Sequence, residues 1–261
     1  MRILLCNDDG YQALGIVTLA KSLRAAGHDI VVVAPSEERS GQSHAMTFFR
    51  PVLARQVDEH TWSVHGTPAD CAAIALQNLL RTNPPDVVVS GINHGLNVGW
   101  DVNYSGTVGD ATEAALLGYK AIAVSVDLDA AKNPGDAEAF FSAAAQVVVN
   151  TLEKAEQFPW EALQVLNINH PGAGCRGFMP AASGGYSMYV PNVVDLKATE
   201  KTVPHPMRVF MLGGNKRRSN EDQAQDVTLV QQGYCTFSLL DARQGGPHEE
   251  ASGLSGFVTG L

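Results

Sequence analysis

Positive charge is in short supply in this chain. Its 18 Lys and Arg stand against 27 Asp and Glu, for a net charge of −9. A protein that grips a nucleic-acid polymer by its phosphates needs a basic footprint, so that partner is excluded. A small anionic substrate is not, because a bound divalent cation inverts the local field. Long apolar runs are missing too. None reaches the roughly 20 residues of a membrane-spanning helix. The opening apolar run at residues 2–6 is broken by Asn7, Asp8 and Asp9 before a signal-peptide core can develop. The expected setting is cytoplasmic, with no membrane partner. Cysteine is sparse: Cys6, Cys71, Cys175 and Cys235 are widely separated and form no Cys-x-x-Cys pair. They read as small buried hydrophobes in a reducing compartment rather than zinc or redox groups.

What is there is a rhythm. The chain of 261 residues, 45% of them hydrophobic, can bury a large core without disulfides. Near-continuous apolar runs at residues 2–6, 29–34, 86–90, 121–126 and 164–168 read as strands buried on both faces, with a further strand at 61–64. Between them, three-residue apolar spacing from Leu14 to Ala26, stopped by Gly27, predicts a helix. Thr67-Pro68-Ala69-Asp70 predicts the start of another that runs to about residue 80, with Thr67 as cap and Pro68 in the first turn. Helices are also expected near residues 107–117 and 137–152. Strand and helix alternating in this way predict an α/β fold, a doubly wound, mostly parallel, Rossmann-like sheet with ligands beyond the carboxyl ends of its strands. After Pro171 the rhythm fails. Glycines and prolines punctuate the segment, strand-like pieces remain at 208–212 and 234–239, and 213–226 is polar enough for an exposed loop. The expected division is a catalytic core at 1–172 and an irregular extension at 173–261, which carries hairpins, oligomer contacts and returning strands.

The residues that follow the strands carry the chemistry. A dinucleotide fold would place Gly-x-Gly-x-x-Gly after the first strand, where this chain has Asn7-Asp8-Asp9-Gly10; the Gly-x-x-x-x-Gly-Lys-Ser/Thr loop is absent as well. Two carboxylates repel a phosphate unless a cation stands between them, and paired acids suit Mg²⁺ or Mn²⁺. The plainer alternative makes Asp8 a cap of the next helix and Asp9 a turn residue. The strand at 86–90 leads into Ser90-Gly91-Ile92-Asn93-His94-Gly95-Leu96-Asn97, a turn-rich stretch in which Asn93 and Asn97 offer neutral oxygens. Ser40 and Ser43 add hydroxyls after the second strand. Tyr104-Ser105-Gly106-Thr107 opens a helix, where free amides receive a phosphate or where Ser105 or Thr107 simply serves as cap. All four groups belong to one edge of one sheet.

Together these motifs resemble the SurE (survival protein E) family of nucleotidases. The match runs through Arg2-Ile3-Leu4-Leu5 and Asn7-Asp8-Asp9-Gly10, Arg39-Ser40-Gly41, Gly66-Thr67-Pro68-x-Asp70-Cys71, Ser90-Gly91-Ile92-Asn93, Tyr104-Ser105-Gly106-Thr107-Val108 and Asn167-Ile168-Asn169. The extension matches only around Gln232-Gly233-Tyr234. The resemblance implies a divalent-metal-dependent 5′/3′-nucleotidase, a phosphomonoesterase acting on nucleoside monophosphates and on short polyphosphate. It implies one Mg²⁺ or Mn²⁺ per subunit held by Asp8, Asp9, Ser40 and Asn93, with Ser105, Gly106 and Thr107 near the phosphate. It also implies a homodimer or homotetramer. The chain departs from the family pattern at Leu14, Leu96, Asp110, 186–197 and the tail from Asp241. Asp110 matters most, because an acid so near a phosphate weakens its docking unless it is turned away.

Catalysis is expected from direct attack by a metal-activated water, oriented by Asp9 with Asp8 mainly a ligand, while Asn93 serves the non-bridging oxygens. Two rival readings place acids after the first strand. A haloacid-dehalogenase-like phosphatase separates its two acids by one residue, which here pairs Asp8 with Gly10. A receiver-like module needs an acceptor Asp after a central strand, where this chain has Pro35-Ser36 and Ser90-Gly91. His44 and His94 fall near the site and the other histidines receive no role. Trp62, Trp100 and Trp160 read as packing residues, Trp100 being the nearest to the Asn93 loop.

Overall fold

The computed structural model describes residues 1–195, 210–216, 225–243 and 246–247. In chain order the elements are β1 (Arg2–Cys6), α1 (Leu14–Ala25), β2 (Asp29–Pro35), β3 (Ala54–Asp58), β4 (Thr61–Val64), α2 (Pro68–Ile74), β5 (Val87–His94), α3 (Gly106–Leu116), β6 (Lys120–Val126), α4 (Pro134–Glu153) and β7 (Gln164–His170). They continue as β8 (Phe178–Pro180), β9 (Tyr189–Asp195), β10 (Phe210–Lys216), α5 (Asp226–Gln231), β11 (Cys235–Asp241) and β12 (Gly246–Pro247). Ten strands form one sheet in the order β12-β11-β7-β6-β5-β1-β2-β4-β3, with β8 beside β11. From β4 to β7 the pairing is parallel. Among the described residues, no helix is long and apolar enough to cross a membrane.

The apolar runs are strands because both of their faces are covered. Ile3 and Leu5 of β1 join α1 and α4 in one core, through Ile16, Leu19, Leu23 and Phe141. Leu4 and Cys6 point the other way, into a second core with Cys71 of α2 and Val108, Ala111 and Ala115 of α3. Successive residues of a strand face opposite sides, so a continuous apolar run is what two helical layers demand. Each fully buried Leu or Ile contributes about 1.5–3 kcal/mol. α2 starts as its sequence predicts: Thr67 and Asp70 form a reciprocal capping box behind Pro68.

The chain goes from β1 outward to β2, on to β3 at the sheet edge, back to β4 between β3 and β2, and then returns to lay β5 on the other side of β1. The sheet order therefore reverses between β1 and β5, and the crevice beyond their carboxyl ends is the ligand position of such a fold.

Several elements differ from the sequence expectation. β5 does not stop at Ser90 but continues through Asn93 to His94, with a register shift against β6 between Ser90 and Asn93. Gly91 makes this possible: its φ is +128°, and a Cβ there would stand 2.3 Å from the Val124 carbonyl oxygen. β3 is polar and exposed, and its pairing with β4 is what makes it a strand. From the C-terminal extension, β11 pairs antiparallel with β7 in the main sheet. β9 and β10 form their own two-stranded ribbon. Of the strand expected at 208–212, residues 208–209 lie outside the described residues and 210–212 open β10. Of the loop expected at 213–226, 213–216 belong to β10, 217–224 lie outside the described residues, and Asp226 begins α5.

Candidate active site

α1 begins at Leu14 behind Ala13, with no side-chain cap and no acid in its first turn. Neither Asp8 nor Asp9 caps it, so the reading of Asp8 as a cap fails, while Asp9 does lie in the turn before Gly10. Asn7 instead closes the turn: its Nδ2 donates to the Gly10 carbonyl at 2.9 Å, and its Oδ1 accepts from the Gly10 amide at 3.2 Å. That bracket projects the two following carboxylates from the end of β1. Arg39 N donates to the Asp8 carbonyl at 2.7 Å, which draws the Ser40 loop to the same place.

Ser105 caps α3, its Oγ accepting from Val108 N at 3.0 Å. Thr107 is fully buried and its hydroxyl donates to Asp8 Oδ1 at 2.5 Å. Thr107 thus serves the carboxylate rather than facing the cavity. Gly106 lets helix and strand meet: a Cβ there would sit 2.8 Å from both Cβ and Oδ2 of Asp8. On the other side, Asp9 Oδ2 accepts from His94 N at 3.3 Å. Asn93 Nδ2 donates to the Gly95 carbonyl at 2.8 Å, which gives its Oδ1 the acceptor role.

Asp8, Ser40, Asn93 and Ser105 border one cavity of about 700 Å³, which Leu96, Tyr104, Tyr189, Val193 and Leu212 also line; Asp9, Gly106 and Thr107 stand behind its wall. No Lys or Arg stands among its described lining residues. The electrostatics follow. Burial pushes the Asp8 carboxyl above the usual range, opposed by the Thr107 hydrogen bond. Burial, then the charge of Asp8, pushes Asp9 up to about 6. Two acids held this close without a cation raise each other's cost of ionisation.

Among the described residues no group of three or more His, Cys, Asp or Glu gathers as a metal cluster. A cation here would have two carboxylates and the neutral oxygens of Ser40 and Asn93, an all-oxygen donor set that fits Mg²⁺ or Mn²⁺ and not zinc.

Asp110 resolves the concern raised by its sequence position. It is fully buried on α3, away from the cavity. Cys6 and Ser90 lie beside it, yet neither of its oxygens has a well-aligned partner, and burial pushes its carboxyl well above the ordinary range. His94 borders the cavity, whereas His44 sits behind Ser105 with its Nε2 2.8 Å from Glu113 Oε2. Two sequence readings need correction. Trp100 is 58% exposed and is not a packing residue. Cys175 is exposed, unlike the three buried cysteines, because it lies on an open turn before β8. Sequence reading missed the contribution of Tyr189, Val193 and Leu212, whose ribbon gives no periodic signal.

Comparison with known proteins agrees with this geometry. The family model described as survival protein SurE matches residues 3–188. A protein named 5′-nucleotidase SurE from Actinobacillus pleuropneumoniae serotype 5b (strain L20) is 45% identical over 93% of this chain and 94% of its own length. One of the same name from Xylella fastidiosa (strain 9a5c) is 37% identical over 92% of this chain and 89% of its own. The crystal structure of a SurE protein from Aquifex aeolicus superposes with a TM-score of 0.76 at 30% identity, covering 93% of this chain and 94% of that one.

Proposed function

Because the chain belongs to the survival protein SurE family, we propose that it is a divalent-metal-dependent phosphomonoesterase acting on nucleoside 5′- and 3′-monophosphates, with short polyphosphate as a further substrate. The observation that carries this reading is the electrostatics of the cavity at the β1/β5 crossover. It presents Asp8, with Asp9 beside it, and no Lys or Arg among its described lining residues. An anionic ester enters such a site only with a cation, and the donor set of Asp8, Asp9, Ser40 and Asn93 suits Mg²⁺ or Mn²⁺. When bound, that cation supplies positive charge for the phosphate oxygens and lowers the pKa of a water molecule.

The chain's own residues do the rest. Asp8, fixed by Thr107, holds the ligand position with little freedom. Asp9 is the carboxylate that orients the attacking water. Ser105, on the cavity wall at the positive end of the α3 dipole, receives a phosphate oxygen, while the amides of Gly106 and Thr107 support it from behind by donating to the Asp8 carboxylate. Asn93, its amide fixed by Gly95, serves a non-bridging oxygen. Fixed positions matter because aqueous monoester hydrolysis is among the slowest reactions and there is little covalent chemistry to assist. The same reading takes the protein as a cytoplasmic homodimer or homotetramer, with one ion per subunit. The test is a hydrolysis screen over 5′- and 3′-nucleoside monophosphates, polyphosphate and non-nucleotide esters, with and without Mg²⁺ or Mn²⁺. Release of phosphate from nucleoside monophosphates only when metal is added supports the reading; no release from any ester overturns it.

A further inference from the structure

The cavity bordered by Asp8, Asn93 and Ser105 is also lined by Tyr189, Val193 and Leu212, which lie just past the residues 3–188 that the family model matches. Val193 and Leu212 are directly opposed in the β9–β10 ribbon, so their side chains share a face. Both line the cavity, and they are 59% and 78% exposed. Tyr189, at the start of β9, reaches back toward the chemistry: its hydroxyl oxygen lies 3.7 Å from where a Cβ of Gly95 would stand. Gly95 is also the residue whose carbonyl fixes Asn93. The ribbon is therefore part of the same site and no remote surface.

Its position is fixed from below. Asp101, in the 3₁₀ turn between β5 and α3, accepts hydrogen bonds from the Ser187 hydroxyl, from Met188 N at 2.7 Å and from Tyr189 N at 3.3 Å. One carboxylate thus ties the ribbon to the segment joining Asn93 to Ser105. The polar side chains on the way are already committed. Asn97 Nδ2 donates to Ser125 Oγ, and the Asp101 oxygens hold the ribbon. Asn192 and the Tyr189 hydroxyl are the polar groups that the described ribbon wall offers.

Resting on the phosphatase reading above, we propose that the β9–β10 ribbon is the nucleoside-recognition wall of this site. In this assignment Tyr189, Val193 and Leu212 hold the base of the bound ester by apolar and stacking contact rather than by reading its hydrogen-bonding edge. A cavity of about 700 Å³ falls in the range of small-molecule sites, and continuity with the phosphate end names the occupant. Apolar contact accepts any base face, so purine and pyrimidine monophosphates are expected to differ by no more than about tenfold in kcat/KM.

The test compares kcat/KM for adenosine and cytidine monophosphates with that for β-glycerophosphate, which has a phosphate but no base. It uses the full chain and its Tyr189→Ala and Leu212→Ser variants, with melting temperature and light-scattering mass recorded for each. The wild-type protein is expected to prefer both nucleotides. Each variant is expected to lower the nucleotide-to-glycerophosphate ratio about tenfold, through KM, at unchanged mass. The proposal is overturned if the ratio holds, if both ester types fall in step, or if the Leu212 variant loses its preference by dissociating. A wild-type protein that hydrolyses both ester types equally also overturns it while leaving the phosphatase reading intact. One that hydrolyses neither with metal overturns both.

Discussion

The hydroxyl of Thr107 stands 2.5 Å from Oδ1 of Asp8, joining the second residue of α3 to the second residue after β1 across 99 positions of sequence. Both groups are buried, and a hydrogen bond to a charged acceptor is worth about 1.5–3 kcal/mol. Removing the donor while keeping the volume isolates it. Thr107→Val is expected to lower kcat/KM for nucleoside monophosphates by about tenfold or more, and Thr107→Ser to recover most of that. Steady-state kinetics decide it, and a valine variant as active as wild type would detach Thr107 from the site.

Asp9→Asn separates stability from activity. The folded pKa of about 6 lies above the ordinary value of 3.8, so the fold disfavours the ionised form. The stability linked to this proton is present below the ordinary value and is lost as pH rises through about 6. Chelator-treated Asp9→Asn is therefore expected to be more stable than chelator-treated wild type at pH 8 and to match it at pH 4, while the variant assayed with added Mg²⁺ or Mn²⁺ has almost no activity. Melting curves at the two pH values check the sign; a variant less stable at pH 8 contradicts it.

Gly106→Ala tests the closeness of helix and strand. The added Cβ would lie 2.8 Å from Asp8 Cβ and Oδ2, so α3 or the carboxylate must move. Relieving that contact takes a shift of up to about 1 Å, and such a misplacement of a positioned catalytic group costs about a hundredfold. The expected result is such a fall in kcat with the fold intact by circular dichroism. Wild-type kcat would mean that Asp8 has slack.

Asp110→Asn should leave turnover close to wild type, because Asp110 is sealed away from the cavity. Its carboxyl is held above the ordinary range by burial first, then influenced by Ser90, Cys6 and Asp8. A raised folded pKa again means stability present at low pH and lost as pH rises. Urea unfolding is expected to show the variant gaining on wild type between pH 5 and pH 8. A gain that shrinks with pH would place a charged Asp110 in the native state.

Much of the site was legible because its signals are local. Strands buried on both faces must be continuously apolar, so β1, β2, β5, β6 and β7 could be read directly, and the residues after them could only fall at one sheet edge. Thr67 and Asp70 carry their cap in four residues. What could not be read depends on distant partners. β3 is polar and becomes a strand by pairing with β4. β5 extends to His94 because Gly91 fits beneath Val124, a contact no window of sequence contains. That Thr107 serves Asp8 rather than the cavity, and that the Asp110 carboxyl is pushed well above its ordinary range, follow from burial. The ribbon wall of Tyr189, Val193 and Leu212 is held by Asp101 from another part of the chain, so its residues carry no period that points to the site.

Titration of Mn²⁺ into chelator-stripped protein, followed by calorimetry, addresses the carboxylate pair most directly. Saturable binding of one ion per chain in wild type, absent from both Asp8→Asn and Asp9→Asn, is the predicted result. Undiminished binding in both variants, or none in the wild type, would contradict the assignment of Asp8 and Asp9 as the residues that let this acidic cavity accept a phosphate ester.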